Sequence, residues 1–153
     1  MKKEIRPYQP KDLSDLLSTW EAASRLAHPF MLDDFFVQER ENIPKFYLPN
    51  TDTWVVTIDE KVVGFIALIV SKSNTEIACE IGGLFVAPSF HRHGLGKSLI
   101  DSAAQQYGHL RVKVFKDNMI GRKFYQKYGF EFIEELVWEN TGDILFYLKL
   151  RTA

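Results

Sequence analysis

The sequence has little cysteine, little net charge and no long apolar run. Cys79 is the only cysteine, so no internal disulfide forms, and no cysteine pair indicates a structural zinc site. The longest apolar run, residues 62–70, is far shorter than the roughly 20 residues of a membrane-spanning helix. A formal net charge of −1 gives no general attraction to nucleic acid or anionic lipid. We therefore expect a cytoplasmic protein with neither nucleic acid nor a membrane among its partners.

No internal repeat, low-complexity tract or Gly/Ser linker divides the 153 residues. Apolar residues make up 46% of the chain and charged residues 25%, which is typical of a globular protein. The sequence therefore predicts a single domain, residues 1–153, with one core. Whether it acts as a monomer or a homodimer is left open.

The first part of the chain predicts one short strand followed by helices. The strand lies around residues 4–8, and the apolar residues after it recur at intervals of three and four, as on one face of a helix. These residues are Leu13, Leu16, Leu17, Trp20 and Ala23. His28-Pro29 should end this helix, because a residue before proline disfavours the helical region. A second helical stretch from about Leu32 should stop or bend near Pro44.

From residue 53 onward, β-branched and aromatic runs favour strands. TWVVTI and VVGFIALIV, joined at Asp59-Glu60, predict a hairpin, and TEIACEIGGLFVAP predicts a third strand. Apolar residues at helical spacing follow, and this helix should end at Gly108. After it, LRVKVF predicts a strand, residues 118–128 predict a helix, and FEFIEELVW and ILFYLKL predict the last two strands. The order β-α-α-β-β-β-α-β-α-β-β predicts an α/β fold. We expect a mixed central sheet of about six to seven strands, flanked by about four helices, with parallel pairing near its middle.

The strongest chemical signal is PSFHRHGLGKS, residues 88–98, between the third long strand and a helix. Gly94 and Gly96 let a ligand approach the backbone closely. The first N–H groups of the helix lack internal partners, so they can hold a phosphate oxygen at the positive end of the helix dipole. Arg92, Lys97 and either His91 or His93 add charge or donors nearby. This pattern fits a pyrophosphate better than an uncharged ligand.

Other interpretations of this loop are weaker. A glycine turn with a solvated basic rim is the plainest alternative, because a lone G-x-G is common. GKS is also similar to the end of a nucleotide P-loop, but the full motif needs glycine where His91 stands. His91 and His93 have no carboxylate partner in the loop, so we expect no metal ion.

Two motifs, in this order, resemble the GNAT N-acetyltransferase superfamily. His91-Arg92-His93-Gly94-Leu95-Gly96 is similar to its [Gln/Arg]-x-x-Gly-x-[Gly/Ala] turn, with histidine at the first position. NMIGRKFYQKYGF, residues 118–130, resembles its Asn-x-x-Ala-x-x-x-Tyr-x-x-x-Gly-Phe helix, with Gly121 where alanine is more usual. The order of elements along essentially the whole chain also matches. The resemblance implies the GNAT fold, acetyl-CoA as cosubstrate, and direct transfer of its acetyl group to an amine in a ternary complex.

The resemblance also implies which residues contact the coenzyme. The turn would bind the pyrophosphate, and Asn118 would both cap its helix and touch the coenzyme. Backbone groups of the third long strand would pair with the pantetheine arm and donate to the oxygen of the tetrahedral intermediate. The predicted coenzyme-binding residues are Leu84, Phe85, Val86, His91, Arg92, His93, Gly94, Leu95, Gly96, Lys97, Ser98, Asn118 and Tyr125.

Tyr125 is the predicted general acid. On its helix, Ile120, Phe124 and Tyr128 lie at four-residue spacing and are predicted to form the buried face, with Tyr125 offset from them. The matching tyrosine of the family stands near the thioester sulfur, where it protonates the departing thiolate. A phenol with a pKa near 10 is protonated at pH 7, so the acid form is available. A packing role is the alternative.

Glu80 is the predicted base. An amine with a pKa near 10.4 is almost wholly protonated at pH 7, so a base or a water chain must remove its proton. The position of Glu80 before the phosphate turn resembles that of the glutamate base in histone-type members of the family. Strand alternation places it on the face of Leu84 and Val86 unless Gly82-Gly83 forms a β-bulge. The role requires burial or an intervening water; an edge charge or a site for the substrate ammonium is the alternative.

The predicted acceptor site surrounds the break after the first long helix. His28 is the rival base there, although a histidine before proline more often makes only a local hydrogen bond. Phe30, Met31 and Phe35 are the other candidates. The acceptor itself stays open among small amines, amino acids, protein N-termini and lysine side chains; the aromatic character of this region mildly favours a small or partly apolar one.

A catalytically silent sensor that binds coenzyme A with the same fold is the alternative function. Tyr125 argues against it, because binding alone does not need that hydroxyl.

Overall fold

The computed structural model describes residues 2–72 and 77–150. Its strands are β1 (Lys3–Pro7), β2 (Asp52–Ile58), β3 (Lys61–Lys72), β4 (Ile77–Val86), β5 (Leu110–Phe115), β6 (Glu131–Val137) and β7 (Ile144–Leu150). Its α-helices are α1 (Leu13–Ala27), α2 (Asp33–Asn42), α3 (Leu95–Tyr107) and α4 (Met119–Tyr128). The predicted fold class and order of elements are confirmed. The predicted start of the third long strand, at residue 75, lies outside the described residues.

The helices end where the local chemistry requires it. α1 stops immediately before His28-Pro29, and the regular part of α2 stops before Pro44, where the chain continues as a π-helical turn, Ile43–Tyr47. Gly108 follows α3 with φ +78°, a conformation that L side chains rarely adopt. No helix in the described parts of the chain is long and apolar enough to cross a membrane.

One sheet in the order β1-β2-β3-β4-β5-β7-β6 contains all seven strands. β4 and β5 pair in parallel, as predicted for the middle of the sheet, and the other neighbours are antiparallel. The parallel ladder joins only Cys79–Ile81 to Leu110–Val112. Within the described ranges, the later residues of β4 therefore have no strand partner on the β5 side, and the two strands separate.

The two faces of the sheet have separate cores. On one face, α1 and α2 cover a cluster that includes Leu16, Trp20 and Phe65. On the other face, α3 covers a larger cluster that includes Ile66 and Leu99. Because Phe65 and Ile66 are neighbours in β3, the alternation of side chains along that strand supplies both cores.

A β-bulge at Gly82 interrupts the pairing of β3 with β4. Ala67 pairs with Gly83 and Leu68 with Ile81, so Gly82 is the extra residue. A bulge reverses the alternation beyond it, and Phe85 consequently contacts the α1 side while Leu84 contacts the α3 side. The bulge that the glycine pair suggested is confirmed. The simple alternation that would put Glu80 on the face of Leu84 is wrong.

Candidate active site

A cleft of about 1540 Å³ lies where β4 and β5 separate. Phe65 and Phe85 line it from the α1 side of the sheet, and Leu84 and Tyr125 from the α3 side. The cleft therefore reaches both faces. Two molecules can meet in it from opposite sides without competing for the same wall.

The N-terminus of α3 forms one end of this cleft. Gly94 stands before the helix with φ +74°, and the first backbone hydrogen bond of the helix runs from Ser98 N to Gly94 O at 3.0 Å. Within the described residues, the N–H groups of Leu95, Gly96 and Lys97 have no backbone partner. A Cβ at Gly96 would lie 3.1 Å from Phe124, so a glycine here lets α4 pack closely against α3. The free amides and the helix dipole together favour an anion.

Basic side chains surround this end of the cleft. Arg92, Lys97, Lys123 and Lys127 all line it. Asp101, one turn along α3, accepts from Lys97 Nζ at 2.9 Å and from the Tyr128 hydroxyl. The excess of cations suits a ligand with several negative charges.

The side chains of His91, His93 and Ser98 make contacts within the turn or with its neighbouring residues. His91 donates from Nε2 to the carbonyl oxygen of Val86 at 2.8 Å, which ties the turn to the end of β4. His93 packs beside Phe90, with ring centroids 6.1 Å apart. Ser98 donates from Oγ to Gly94 O at 3.0 Å. Of the predicted turn residues, His91, Arg92, Gly94, Leu95, Gly96 and Lys97 line the cleft, whereas His93 and Ser98 do not.

Tyr125 lines the cleft from α4. Its ring packs against Phe124 and Phe130, with centroid distances of 5.3 and 5.1 Å. Its hydroxyl makes no hydrogen bond within the described residues, yet no buried side-chain oxygen or nitrogen there lacks a partner, so the hydroxyl opens into the cleft. Burial raises the pKa of Tyr125 well above its usual range, which keeps the proton on the phenol.

The predicted buried face of α4 is right in part: Phe124 and Tyr128 pack half-buried against the core, but Ile120 does not. Tyr125 is the buried residue of this helix, at 6% exposure, whereas Ile120 is 45% exposed. The orientation of α4 explains this difference. The face that carries Tyr125 contacts the core and the cleft, whereas Ile120 lies at the exposed rim of the cleft.

Asn118 connects α4 to the end of α1. Its Oδ1 accepts from the Gly121 N–H at 2.8 Å, so it caps α4 as predicted. This bond fixes the amide orientation and directs Nδ2 at His28 Nε2, 3.3 Å away. A Cβ on residue 121 would lie 2.6 Å from Asn118 Nδ2. Glycine at position 121, where the family usually has alanine, therefore leaves room for the Asn118 side chain.

His28 is held as a neutral ring. Because Nε2 accepts from Asn118, the proton resides on Nδ1, which donates to Ser24 Oγ at 3.0 Å. The ring is buried among aromatic edges, and burial lowers the pKa of His28 to about 4. His28 does line the predicted acceptor side of the cleft. A histidine with this pKa and an occupied Nε2 is poorly suited to accept the proton of an amine.

The stability of the protein should fall as the pH is lowered from about 6.5 to about 4, in part because of His28. Its pKa is lowered from 6.5 to about 4 in the fold, so in this range the unfolded chain binds a proton that the folded chain does not. At roughly 1.4 kcal/mol for each pH unit, the full effect is on the order of 3 kcal/mol of unfolding free energy. Urea unfolding at a series of pH values measures it.

His28→Gln removes this titration and should flatten the dependence of unfolding free energy on pH above 4. His109→Gln, at an exposed position, is the matched control and should keep the slope. The ion pair with Arg6 lowers the pKa of Asp12, and this shift changes the unfolding free energy in a separate pH range, below about pH 4. An equal slope in the wild type and His28→Gln would contradict the assignment.

The remaining acceptor-side candidates form part of an aromatic cluster. Phe35 lines the cleft and makes edge contacts with Phe115 and Trp138 at 6.4 and 5.8 Å. Phe30 belongs to the same cluster through Phe115, at 5.8 Å, but is not one of the lining residues. Met31 packs instead against the core under α1 and α2. The cluster gives the acceptor side an apolar wall.

Glu80 lies beside the cleft without lining it. Its carboxylate is 25% exposed, and Oε1 is 3.8 Å from Lys113 Nζ. Ile69, its partner across the ladder, and Lys113 both line the cleft. A base role for Glu80 therefore needs a water between the carboxylate and the amine, and it stays a prediction. In residues 2–72 and 77–150, no group of three or more His, Cys, Asp and Glu could hold a metal.

Comparisons with known proteins agree with this geometry. The family model described as "Acetyltransferase (GNAT) domain" matches residues 49–132. The peptidyl-lysine N-acetyltransferase YiaC of Escherichia coli is 30% identical over 89% of this chain and 88% of its own length. The peptidyl-lysine N-acetyltransferase YjaB of Salmonella typhimurium is 27% identical over 83% of this chain and 82% of its own length. The chain belongs to the GNAT acetyltransferase family and is an acetyltransferase that transfers acetyl from acetyl-CoA to an amine.

Solved structures share the fold. The apo form of YjaB from E. coli superimposes with a TM-score of 0.83 at 22% identity, covering 100% of both chains. The PaiA N-acetyltransferase of Thermoplasma acidophilum, solved in complex with coenzyme A, gives 0.78 at 19% identity, covering 99% of this chain and 100% of that one. At these identities the likeness concerns the fold.

Proposed function

We propose that this protein acetylates the ε-amino group of lysine in peptides or proteins, as one domain, in the cytoplasm. Two relatives named peptidyl-lysine N-acetyltransferases, YiaC and YjaB, support lysine as the acceptor. The observation that carries the mechanism is the cleft through the split sheet, which opens to both faces. It lets acetyl-CoA and the acceptor approach each other from opposite sides in a ternary complex.

Acetyl-CoA lies along the α3 side in this proposal. Its diphosphate binds the free amides of residues 95–97, and Arg92 and Lys97 compensate its charge. Its pantetheine arm pairs with the part of β4 that β5 leaves unpaired. An N–H within residues 84–86 donates to the carbonyl oxygen of the thioester as negative charge develops on it.

The neutral amine attacks the thioester carbon, and collapse of the tetrahedral intermediate breaks the carbon–sulfur bond. Tyr125 donates its proton to the departing sulfur, so that the product is the thiol of coenzyme A. Before the attack, the ammonium form of the amine loses one proton to a water, which passes it to Glu80. As the amide forms, the nitrogen loses a second proton, which returns through water to Tyr125. Asn118, fixed by Gly121 and His28, holds the start of α4 and thereby the position of Tyr125.

The test uses two short peptides of otherwise equal sequence, one with a blocked N-terminus and a single lysine, the other with a free N-terminus and no lysine. Mass spectrometry should find one added acetyl group on the lysine peptide only, together with release of free thiol. Acetylation of the N-terminus alone would contradict lysine as the acceptor. If a broad panel of amines gave no product while acetyl-CoA still bound, the silent sensor would be the correct interpretation.

A further inference from the structure

One carboxylate on the acceptor side of the cleft belongs to no sequence motif. Glu39 lies in α2 four residues after Phe35, so the two side chains share a face of the helix, and both line the cleft. Glu39 Oε1 accepts from the Tyr47 hydroxyl at 3.1 Å and lies 3.5 Å from Asn42 Nδ2. Burial, together with the charge of Glu39, raises the pKa of Tyr47 to about 12, so the phenol stays a donor.

The partners of Glu39 are neutral. Within the described residues no lysine, arginine or histidine lies within ion-pair distance of it. Glu39 Oε2 has no hydrogen-bond partner there either. The other acidic residue among those lining the cleft, Asp101, is already paired with Lys97 and Tyr128 on the far side. Glu39 is thus a half-buried negative charge with one oxygen fixed and the other available to a ligand.

The charges of the cleft are therefore separated. Arg92, Lys97, Lys123 and Lys127 lie on the α3 and α4 side, and Glu39 lies on the α2 side beside aromatic walls. Lys113, the lining lysine of β5, is 3.8 Å from the Glu80 carboxylate. In such partly desolvated surroundings an ion pair is stronger than in water. An acceptor lysine arrives as an ammonium ion, because its pKa is near 10.4.

We propose that Glu39, oriented by Tyr47, receives the ammonium group of the acceptor lysine and selects cationic acceptors for this cleft. The inference rests on the proposed acetyltransferase function and names the group that recognises its acceptor. Binding at Glu39 brings the side chain to the apolar wall formed by Phe35. The lysine then gives up its proton to water before it attacks the thioester.

Glu39→Gln tests the charge alone, because the carboxamide oxygen can still accept from Tyr47. With the blocked peptide whose lysine is its only cation, the variant should raise KM for the peptide about tenfold or more. The KM for acetyl-CoA should stay within twofold, and kcat should change less than the peptide KM. The dependence of kcat/KM on salt should also become weaker, because the ion pair is lost.

Glu41→Gln, on the exposed surface of the same helix, is the matched control and should leave both KM values unchanged. Glu39→Asp keeps the charge and should recover part of the affinity for the peptide. Tyr47→Phe keeps the charge but loses the orienting donor, so its KM should lie between those of the wild type and Glu39→Gln. Thermal unfolding of each variant shows whether the fold is retained.

The outcomes separate this inference from the proposed function. If the lysine peptide is acetylated and Glu39→Gln keeps the wild-type KM and salt dependence, the role of Glu39 is overturned and the function stands. A rise in KM that Glu41→Gln reproduces, or that follows loss of stability in every variant, also overturns it. If no peptide is acetylated while acetyl-CoA binds, both proposals fail together.

Discussion

Replacing Tyr125 with phenylalanine should lower kcat at least about tenfold while leaving acetyl-CoA affinity within a few-fold. A positioned general acid typically contributes about 10²- to 10⁴-fold to the rate, and Tyr125 lines the cleft with a hydroxyl that makes no hydrogen bond within the described residues. The substitution removes only the hydroxyl. The ring contacts with Phe124 and Phe130 remain, so the fold and the coenzyme site should be retained.

Steady-state release of free thiol gives kcat, and calorimetry gives the affinity for acetyl-CoA. Tyr107→Phe is the matched control, because the Tyr107 hydroxyl donates to Asp52 at 2.6 Å, and Tyr107 does not line the cleft. This control should keep kcat near the wild-type value. If Tyr125→Phe also kept both constants, Tyr125 would be a packing residue and another group would have to protonate the thiolate.

Most of the fold could be predicted because its signals are local. Proline and glycine mark where α1 and α3 end, and the strands stand out as β-branched and aromatic runs. The bounds of β5 and β7 match the predicted runs LRVKVF and ILFYLKL. The phosphate-binding turn could also be predicted from the sequence, because a helix that begins after glycines presents free backbone amides whatever its side chains are.

The direction of individual side chains was harder to predict. Gly82 is an extra residue in β4, and every side chain after it lies on the opposite face from the one that simple alternation predicts. Leu84 therefore lies on the opposite face from Glu80. On α4, Phe124 and Tyr128 of the predicted stripe pack against the core, but Ile120 is exposed and Tyr125 is the buried residue. Periodicity identifies faces, whereas tertiary packing decides which face is buried.

Contacts between distant parts of the chain left no pattern in the sequence. His28 and Asn118 are 90 positions apart, and nothing near either residue indicates that they meet. Glu39 was missed for a related reason: the role proposed for it depends on the absence, among the described residues, of a cation within ion-pair distance, which is a property of the whole surrounding cleft. The glycine at position 121 was the one usable clue, because it departs from the alanine of the motif and makes space for Asn118.

Gly94→Asp should weaken acetyl-CoA binding at least about tenfold, which is roughly 1.4 kcal/mol of binding free energy. A Cβ at Gly94 would meet no atom within 4 Å, and aspartate tolerates a positive φ better than most residues. Aspartate is also a favourable N-cap, so α3 should remain folded. The new carboxylate would compete for the amides of residues 95–97, where we propose that the diphosphate binds.

Gly94→Asn is the matched control, because it has nearly the same shape and the same backbone strain without the charge. Its affinity should lie close to that of the wild type, whereas Gly94→Asp should show the loss by calorimetry. S-acetylpantetheine lacks the diphosphate, so its turnover should hardly distinguish the two variants. Equal weakening in both would indicate a distorted turn, and unchanged acetyl-CoA affinity in Gly94→Asp would place the diphosphate away from the start of α3.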